Sequence, residues 1–291
     1  MKLEVSHRTT YAYSSPVGQS QHLVHLRPRR LLRQSVIHHS LLIEPAPVFS
    51  SEIIDYFGNA GLLLRLEDEH TEFIVHARST VEIAAPAAVS LDKSVPWEDV
   101  GDLIRAAHDT ESVDALQFVC PSRHVPVAAD IQDFAKVSFL DRRPVLAAAM
   151  DLTRRIFQEF TFDGRATDLS TPVSTVLKIR RGVCQDFAHL AIAACRSMGV
   201  PARYVSGYLM TRPPAGQIKL KGADASHAWL SVWCPKHGWV DFDPTNGVVP
   251  AGEHITLAYG RDYDDISPIS GVLLGGGDQT MRVEVDVEPV A

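Results

Sequence analysis

Three residue types that together can activate a thiol follow one another in this chain. They are Cys184 in GVCQDF, His227 in SHAW and Asp243 in DFDPTNG. A free thiol is only a few per cent ionised at neutral pH. It becomes a nucleophile when a neighbouring base takes its proton and a third group holds that base. The chemistry on offer is acyl transfer.

The elements that must position these residues can be read from spacing. Gly182 breaks any preceding helix, and 183–198 then has a helical pattern. Phe187, Leu190, Ala191, Ala194 and Met198 recur at spacings of three and four, and Gly199-Val200-Pro201 ends the run. Cys184 falls at the helix N-terminus, where unpaired N–H groups and the macrodipole favour an anion. The same N–H groups could stabilise a tetrahedral oxyanion. A lone cysteine there is more often a small buried hydrophobe, and it is the two downstream partners that point to chemistry.

The run 225–233 alternates as a strand, with His227, Trp229, Ser231 and Trp233 on one face. After the turn cluster Pro235-Lys236-His237-Gly238 comes a second strand, 239–243. His227 and Asp243 are sixteen positions apart and symmetric about Pro235, so a hairpin through that turn predicts them directly opposite one another. A carboxylate facing the imidazole fixes its tautomer and stabilises the imidazolium. Alone, Asp243 before Pro244 would read as a turn-former.

Other candidates are set aside on geometry. His22 and His25 fall on opposite faces of a strand, as do His38 and His39. His189 lies about 140° round the helix from Cys184, too far for the activating base. Asp186 is explained as a favourable first-turn carboxylate. Cys195 lies on nearly the same face as Cys184 but about three turns along, and reads as a core residue. Gly275-Gly276-Gly277 is a loop without the flanking pattern of a phosphate cradle. A zinc hydrolase using Cys184, His227 and Asp243 as ligands is chemically possible but disfavoured, and no cofactor or metal is expected.

The strings GVCQDFAHLAIAACRSMGVPARYVSGYL, DASHAWLSVW and WVDFDPTNG, in this order, resemble the bacterial transglutaminase-like family, a branch of the papain-like cysteine enzymes. IDYFGNAGLLLRL (54–66) resembles the β-rich domain that precedes such cores, and DYDDISPISGVLLGGGDQTMRVEVDV is similar to the family's C-terminal extension. The resemblance implies Cys184 as nucleophile, His227 as base and acid, and Asp243 as orienter. It also implies a core in which the cysteine helix packs on an antiparallel sheet. The chain departs from the papain proteases, whose local signature is absent and whose Gln six positions before the cysteine is Lys178 here. The backbone N–H of Cys184 is then the first oxyanion donor and a second is unassigned. Tyr204, Tyr208 and Trp229 are candidates to line the cleft, with ordinary core or wall as the favoured alternative for each.

At 291 residues, 45% hydrophobic and 22% charged, the chain is an ordinary globular sequence with room for two domains. A net charge of −7 argues against broad nucleic-acid binding, and the basic strings RPRRLLR (27–33) and KLKG (219–222) read as solvated surface. Four cysteines without a CxxC pair suit neither a disulfide framework nor a zinc site. No apolar leader is seen and no run nears the ~20 apolar residues of a membrane span, so no membrane partner and a cytoplasmic setting are expected.

Alternating runs at 35–43, 61–66 and 71–83 predict strands, a new composition begins at Pro86-Ala87-Ala88, and 96–107 and 144–160 predict helices. The expected class is therefore α+β. An N-terminal antiparallel β-sandwich-like domain (1–90) leads through a helical linker (91–144) to a transglutaminase-like core (145–260) and a C-terminal extension with a strand (261–291). The expected activity is cysteine-dependent cleavage or transfer at amide bonds of a peptide or protein, with hydrolysis favoured over transamidation. A non-catalytic peptide-binding module that keeps the three residues is the competing reading.

Overall fold

The computed structural model describes residues 1–85, 89–107, 109–211 and 226–290. The composition change expected at 86–88 and the KLKG string lie outside the described residues. In chain order the strands are β1 (Lys2–Val24), β2 (Gln34–Glu44), β3 (Phe49–Ile54), β4 (Ala60–Leu66) and β5 (His70–Ile83). Four helices follow: α1 (Val100–Ala106), α2 (Thr110–Leu116), α3 (Ala129–Lys136) and α4 (Val145–Glu159). Then come β6 (Thr161–Phe162), α5 (Val173–Ile179), β7 (Arg181–Gly182) and α6 (Cys184–Ser197). The last strands are β8 (Ala202–Leu209), β9 (Ser226–Cys234), β10 (Gly238–Phe242), β11 (His254–Gly260), β12 (Ile269–Gly275) and β13 (Gln279–Pro289).

Seven of these strands form one antiparallel sheet built from four long ribbons. β1 is a single strand of 23 residues. Along one edge it pairs β4 and β5 end to end, and along the other β12 and β13. β2 and β3 continue outward on β5 and β4. All four ribbons are interrupted at the same level: near Ser14-Ser15-Pro16, at 45–48, at 67–69 and at 276–278. The reasons are local, since proline cannot donate to a ladder and Gly275, Gly276 and Gly277 take positive φ. The sheet folds over at this row, and His22 stacks on Phe73 at 4.3 Å although the strand partner of His22 is Leu64. Folding one sheet in two yields the sandwich-like character that the alternation predicts. The residues expected as a C-terminal extension with a strand supply β12 and β13, the outer ribbon of this sheet.

The helices and a second sheet are inserted between β5 and β12. That sheet is antiparallel with the order β10-β9-β8-β11. α6 packs across β9 and β8, and α3, α4 and α5 pack on α6. Every residue of α6 from Asp186 to Arg196 is buried, as befits a helix surrounded on all sides. Its alanines at 188, 191, 193 and 194 permit that close approach. The free edge of β11 is closed by side-chain amides rather than by another strand. Gln34 donates to the Thr256 carbonyl at 2.7 Å and accepts from its N–H at 2.8 Å. Asn59 does the same to Tyr259, at 2.8 Å in both directions. A buried strand edge is thereby satisfied without a ladder.

Three histidines are buried in this framework with depressed pKa values. Burial pushes His7 and His22 down to about 4 and His189 to about 3. In the unfolded chain they protonate near 6.5, so acidification below that value favours unfolding, and the penalty is complete only below the folded pKa values. Each group is expected to cost roughly 2 kcal/mol on going from pH 7 to pH 5. A fall in Tm over that interval, followed by calorimetry and absent at a site replaced by a neutral isostere, checks this.

Candidate functional site

Cys184 is the first residue of α6 and is half-buried. The approach to the helix is fixed by Asp186, whose Oδ2 accepts the Val183 N–H at 2.8 Å and the Thr167 hydroxyl at 2.6 Å. The first-turn carboxylate thus also ties the preceding loop to the helix start. A Cβ on Gly182 would stand 2.6 Å from that carboxylate oxygen, so the position admits only glycine without a shift. The N–H of Cys184 lies in the first turn, where no helical carbonyl can reach it.

His227 sits at the start of β9, opposite Gly207 of β8. A side chain at Gly207 would meet the Ile255 carbonyl oxygen at 2.1 Å and the Trp229 ring at 2.5 Å. His227 Nε2 bonds Asp243 Oδ2 at 2.8 Å, and Cys184 is near enough to favour the charged form of the same ring. With Nε2 committed to the carboxylate, the nitrogen left for the thiol is Nδ1.

The hairpin register differs from the prediction. Cys234 pairs with Gly238 and Leu230 with Phe242, two residues away from a direct His227–Asp243 pairing. The turn is centred on Lys236 because Gly238 takes a φ of +65°. A two-residue offset keeps both side chains on the same face, so the contact is made diagonally. Asp243 itself has left the ladder. Its Oδ1 accepts the N–H groups of Thr245 (2.9 Å) and Asn246 (3.2 Å), so it is at once the turn-former before Pro244 and the partner of His227.

Two participants were not read from the sequence. Asn246 Nδ2 donates to Asp243 Oδ2 at 2.7 Å, and His254 Nε2 contacts the same oxygen at 3.0 Å. Asn246 lies in the PTNG string and could have been suspected. His254 opens β11 in HITLAYG, where nothing local distinguishes it from an ordinary strand residue. Burial alone would favour a protonated Asp243, but the bonds from His227, His254 and Asn246 hold its carboxyl far below the usual carboxylate range. Burial likewise disfavours the imidazolium of His227, and Asp243 and Cys184 outweigh it, raising the pKa to about 10. The stability from His227 is complete below pH 6.5 and is lost only as pH rises toward 10, so it does not offset the acid lability of His7, His22 and His189.

Cys184, His227 and Asp243 are therefore brought together. Tyr204, Tyr208 and Trp229 are not cleft surface, being at most 2% exposed. Trp229 packs beneath His227 and His254 with ring centroids at 5.9 and 5.3 Å, and Tyr208 bonds His7 of β1 at 2.8 Å. They are walls because each points into a packed layer. His189 stacks on His124 and accepts the Tyr263 N–H at 3.2 Å. Lys178 is exposed on α5. Cys195 is fully buried, and burial pushes its thiol up to about 12.

This architecture carries the marks of a known class. Residues 3–82 match the bacterial transglutaminase-like N-terminal region, and residues 136–244 match the transglutaminase-like superfamily. An uncharacterized protein of Mycobacterium tuberculosis is 37% identical over 296 residues, covering 99% of this chain and 93% of its own length. One of Mycobacterium leprae is 34% identical, covering 100% and 99%. A protein-glutamine gamma-glutamyltransferase of Pseudomonas aeruginosa is 30% identical over 140 residues, 44% of this chain and 21% of that protein. A crystal structure from Cytophaga hutchinsonii, of a protein proposed to be a cysteine protease, superposes with a TM-score of 0.77 at 24% identity, covering 100% of this chain and 92% of that one. The chain belongs to the bacterial transglutaminase-like family. Among the described residues no helix is long and apolar enough to cross a membrane.

Proposed function

We propose that this chain catalyses cysteine-dependent acyl transfer at amide bonds of a peptide or protein, with water as the usual acceptor. The observation that carries it is the 2.8 Å His227–Asp243 bond, with Cys184 near enough to favour the charged form of the same ring. In this reading Cys184 is the nucleophile, His227 the base and acid, and Asp243 the orienter.

The thiolate of Cys184 attacks the amide carbonyl carbon. The tetrahedral oxyanion faces the start of α6, where the Cys184 N–H donates to it. As the C–N bond breaks, the His227 imidazolium gives its proton to the departing amine, leaving a thioester and a neutral imidazole. Water then loses a proton to His227 and attacks the thioester, and the carboxylic acid leaves as the thiolate and imidazolium are restored. A primary amine entering in place of water gives transamidation instead, an outcome favoured by the similarity to the Pseudomonas gamma-glutamyltransferase. A reducing cytoplasm belongs to the same proposal, since Cys184 must stay a free thiol to act.

The test is alkylation by iodoacetamide across pH with mass mapping of the modified cysteine. Cys184 is expected to react at pH 6 roughly tenfold or more faster than the exposed Cys120, and the His227→Ala variant to lose the difference. Equal rates at the two cysteines would remove the activated-thiol reading and put the peptide-binding module in its place.

A further inference from the structure

The Asp243 carboxylate is served by two imidazoles, and only one of them meets the thiol. We propose that His254 is a positioning residue: its Nε2–H, bonded to the oxygen that His227 also uses, locks the carboxylate in line with the His227 Nε2–H and so keeps His227 in the tautomer whose Nδ1 faces Cys184. The catalytic consequence rests on the acyl-transfer reading above, while the hydrogen bond itself does not.

Asp243 accepts from five donors: Thr245 N, Asn246 N, Asn246 Nδ2, His227 Nε2 and His254 Nε2. A carboxylate offers about four lone-pair sites, so this one is saturated and cannot rotate without breaking a bond. His254 stands on a rigid support. Its strand, β11, is pinned along one edge by the Gln34 and Asn59 amides and along the other by β8. The Trp229 ring meets His254 edge-on at 5.3 Å and keeps it from turning away. A donor held this firmly fixes the direction of the acceptor it binds.

The remaining atom of the ring supports this assignment. His254 Nδ1 is buried and has no hydrogen-bond partner among the described residues. Leaving a buried polar atom unpaired is unfavourable, and such atoms persist where the other end of the group is needed in one orientation.

The same three side chains, His227, Asp243 and His254, bring their ligand atoms within 4.8 Å of one another, a spacing also compatible with a metal ion. One feature disfavours that use: a metal-bound imidazole ordinarily donates its second N–H to an acceptor, and His254 Nδ1 has none among the described residues.

The experiment combines imidazole NMR of the full chain with alkylation of Cys184 at pH 6. In the unaltered protein His254 is expected to show a hydrogen-bonded Nε2–H and an unprotonated Nδ1. This needs no variant to fold, and a proton on Nδ1 with a bare Nε2 overturns the proposal. His254→Phe, which keeps a ring but no donor, is expected to slow Cys184 alkylation roughly tenfold and to broaden or move the His227 Nε2–H signal. His254→Gln, which returns an N–H near the same place, is expected to restore both to within a few-fold. A folded Phe variant with the unaltered rate and an unmoved His227 signal overturns the proposal. So does stoichiometric binding of added zinc that the Phe variant abolishes, which would make the trio a metal site. If Cys184 of the unaltered protein reacts like an ordinary thiol while the His254 bond is present, it is the acyl-transfer reading that fails.

Discussion

Asp243→Asn is expected to lower turnover by about 10⁴-fold while leaving Cys184 in place. The cause is a conflict of donors. Asp243 Oδ2 accepts from His227, His254 and Asn246, and Oδ1 accepts from two backbone N–H groups. An asparagine has one oxygen and one NH₂, so either orientation of the amide sets a donor against donors. If the NH₂ faces His227, the ring must accept at Nε2 and carry its proton on Nδ1, where it points at the thiol and can no longer take a proton from it. If the NH₂ faces the turn, the N–H groups of Thr245 and Asn246 lose their acceptor. Each buried group left unpaired costs about 1–3 kcal/mol, so a loss of roughly 2–5 kcal/mol in folding stability should accompany the kinetic effect. Thermal denaturation beside hydrolysis of a p-nitrophenyl ester separates the two. An unchanged rate in a folded variant would show that Asp243 does not orient His227.

Cys184→Ala is expected to do the opposite: abolish turnover and spare the fold. Removing a nucleophile that works with its base typically costs about 10⁶-fold, with only binding and oxyanion stabilisation left behind. Because Cys184 is half-buried at a helix start, losing its sulfur should change stability by less than about 1 kcal/mol. Intact-mass spectrometry after addition of an activated ester should show an acyl adduct on the unaltered chain and none on the variant. If peptides bind equally well to both and neither forms an adduct, the chain is a binding module.

Much of this arrangement was legible in the sequence, and the misreadings have physical causes. The helix expected over 144–160 is bounded by Pro144 and Phe160 as caps, and the one expected over 183–198 runs from Cys184 to Ser197. Periodicity over four turns leaves little ambiguity. The strands at 35–43, 61–66 and 71–83 were likewise visible from alternation. Within the helical linker α2 and α3 were not delimited, and α5 was missed, for seven or eight residues give too few repeats of a 3.6 period to stand out. The hairpin centre was displaced because a four-residue turn cluster permits more than one register, and the choice fell to the conformation of Gly238. The contact between His227 and Asp243 survived because the displacement was even. His254 could not be found at all: it reaches Asp243 only because β11 returns to the far edge of the sheet, a property of topology rather than of any local string.

The four-ribbon sheet also bears on the order in which the molecule can be completed. Leu3 pairs with Pro289 and Val24 with Ile269, so the ribbon that lines one edge of β1 comes from the far side of the inserted core. Until 269–289 emerges, a 23-residue strand waits with one edge unsatisfied, a template for the wrong neighbour. The inserted core, including α6 and the hairpin, can assemble during that interval from segments near one another in the chain. The sheet closes afterwards, when β13 docks along β1 and the N–H of Val290 bonds the Lys2 carbonyl at 3.0 Å. A nascent chain released early would therefore carry a formed core beside an open edge, and would be lost to aggregation rather than to misassembly of the site.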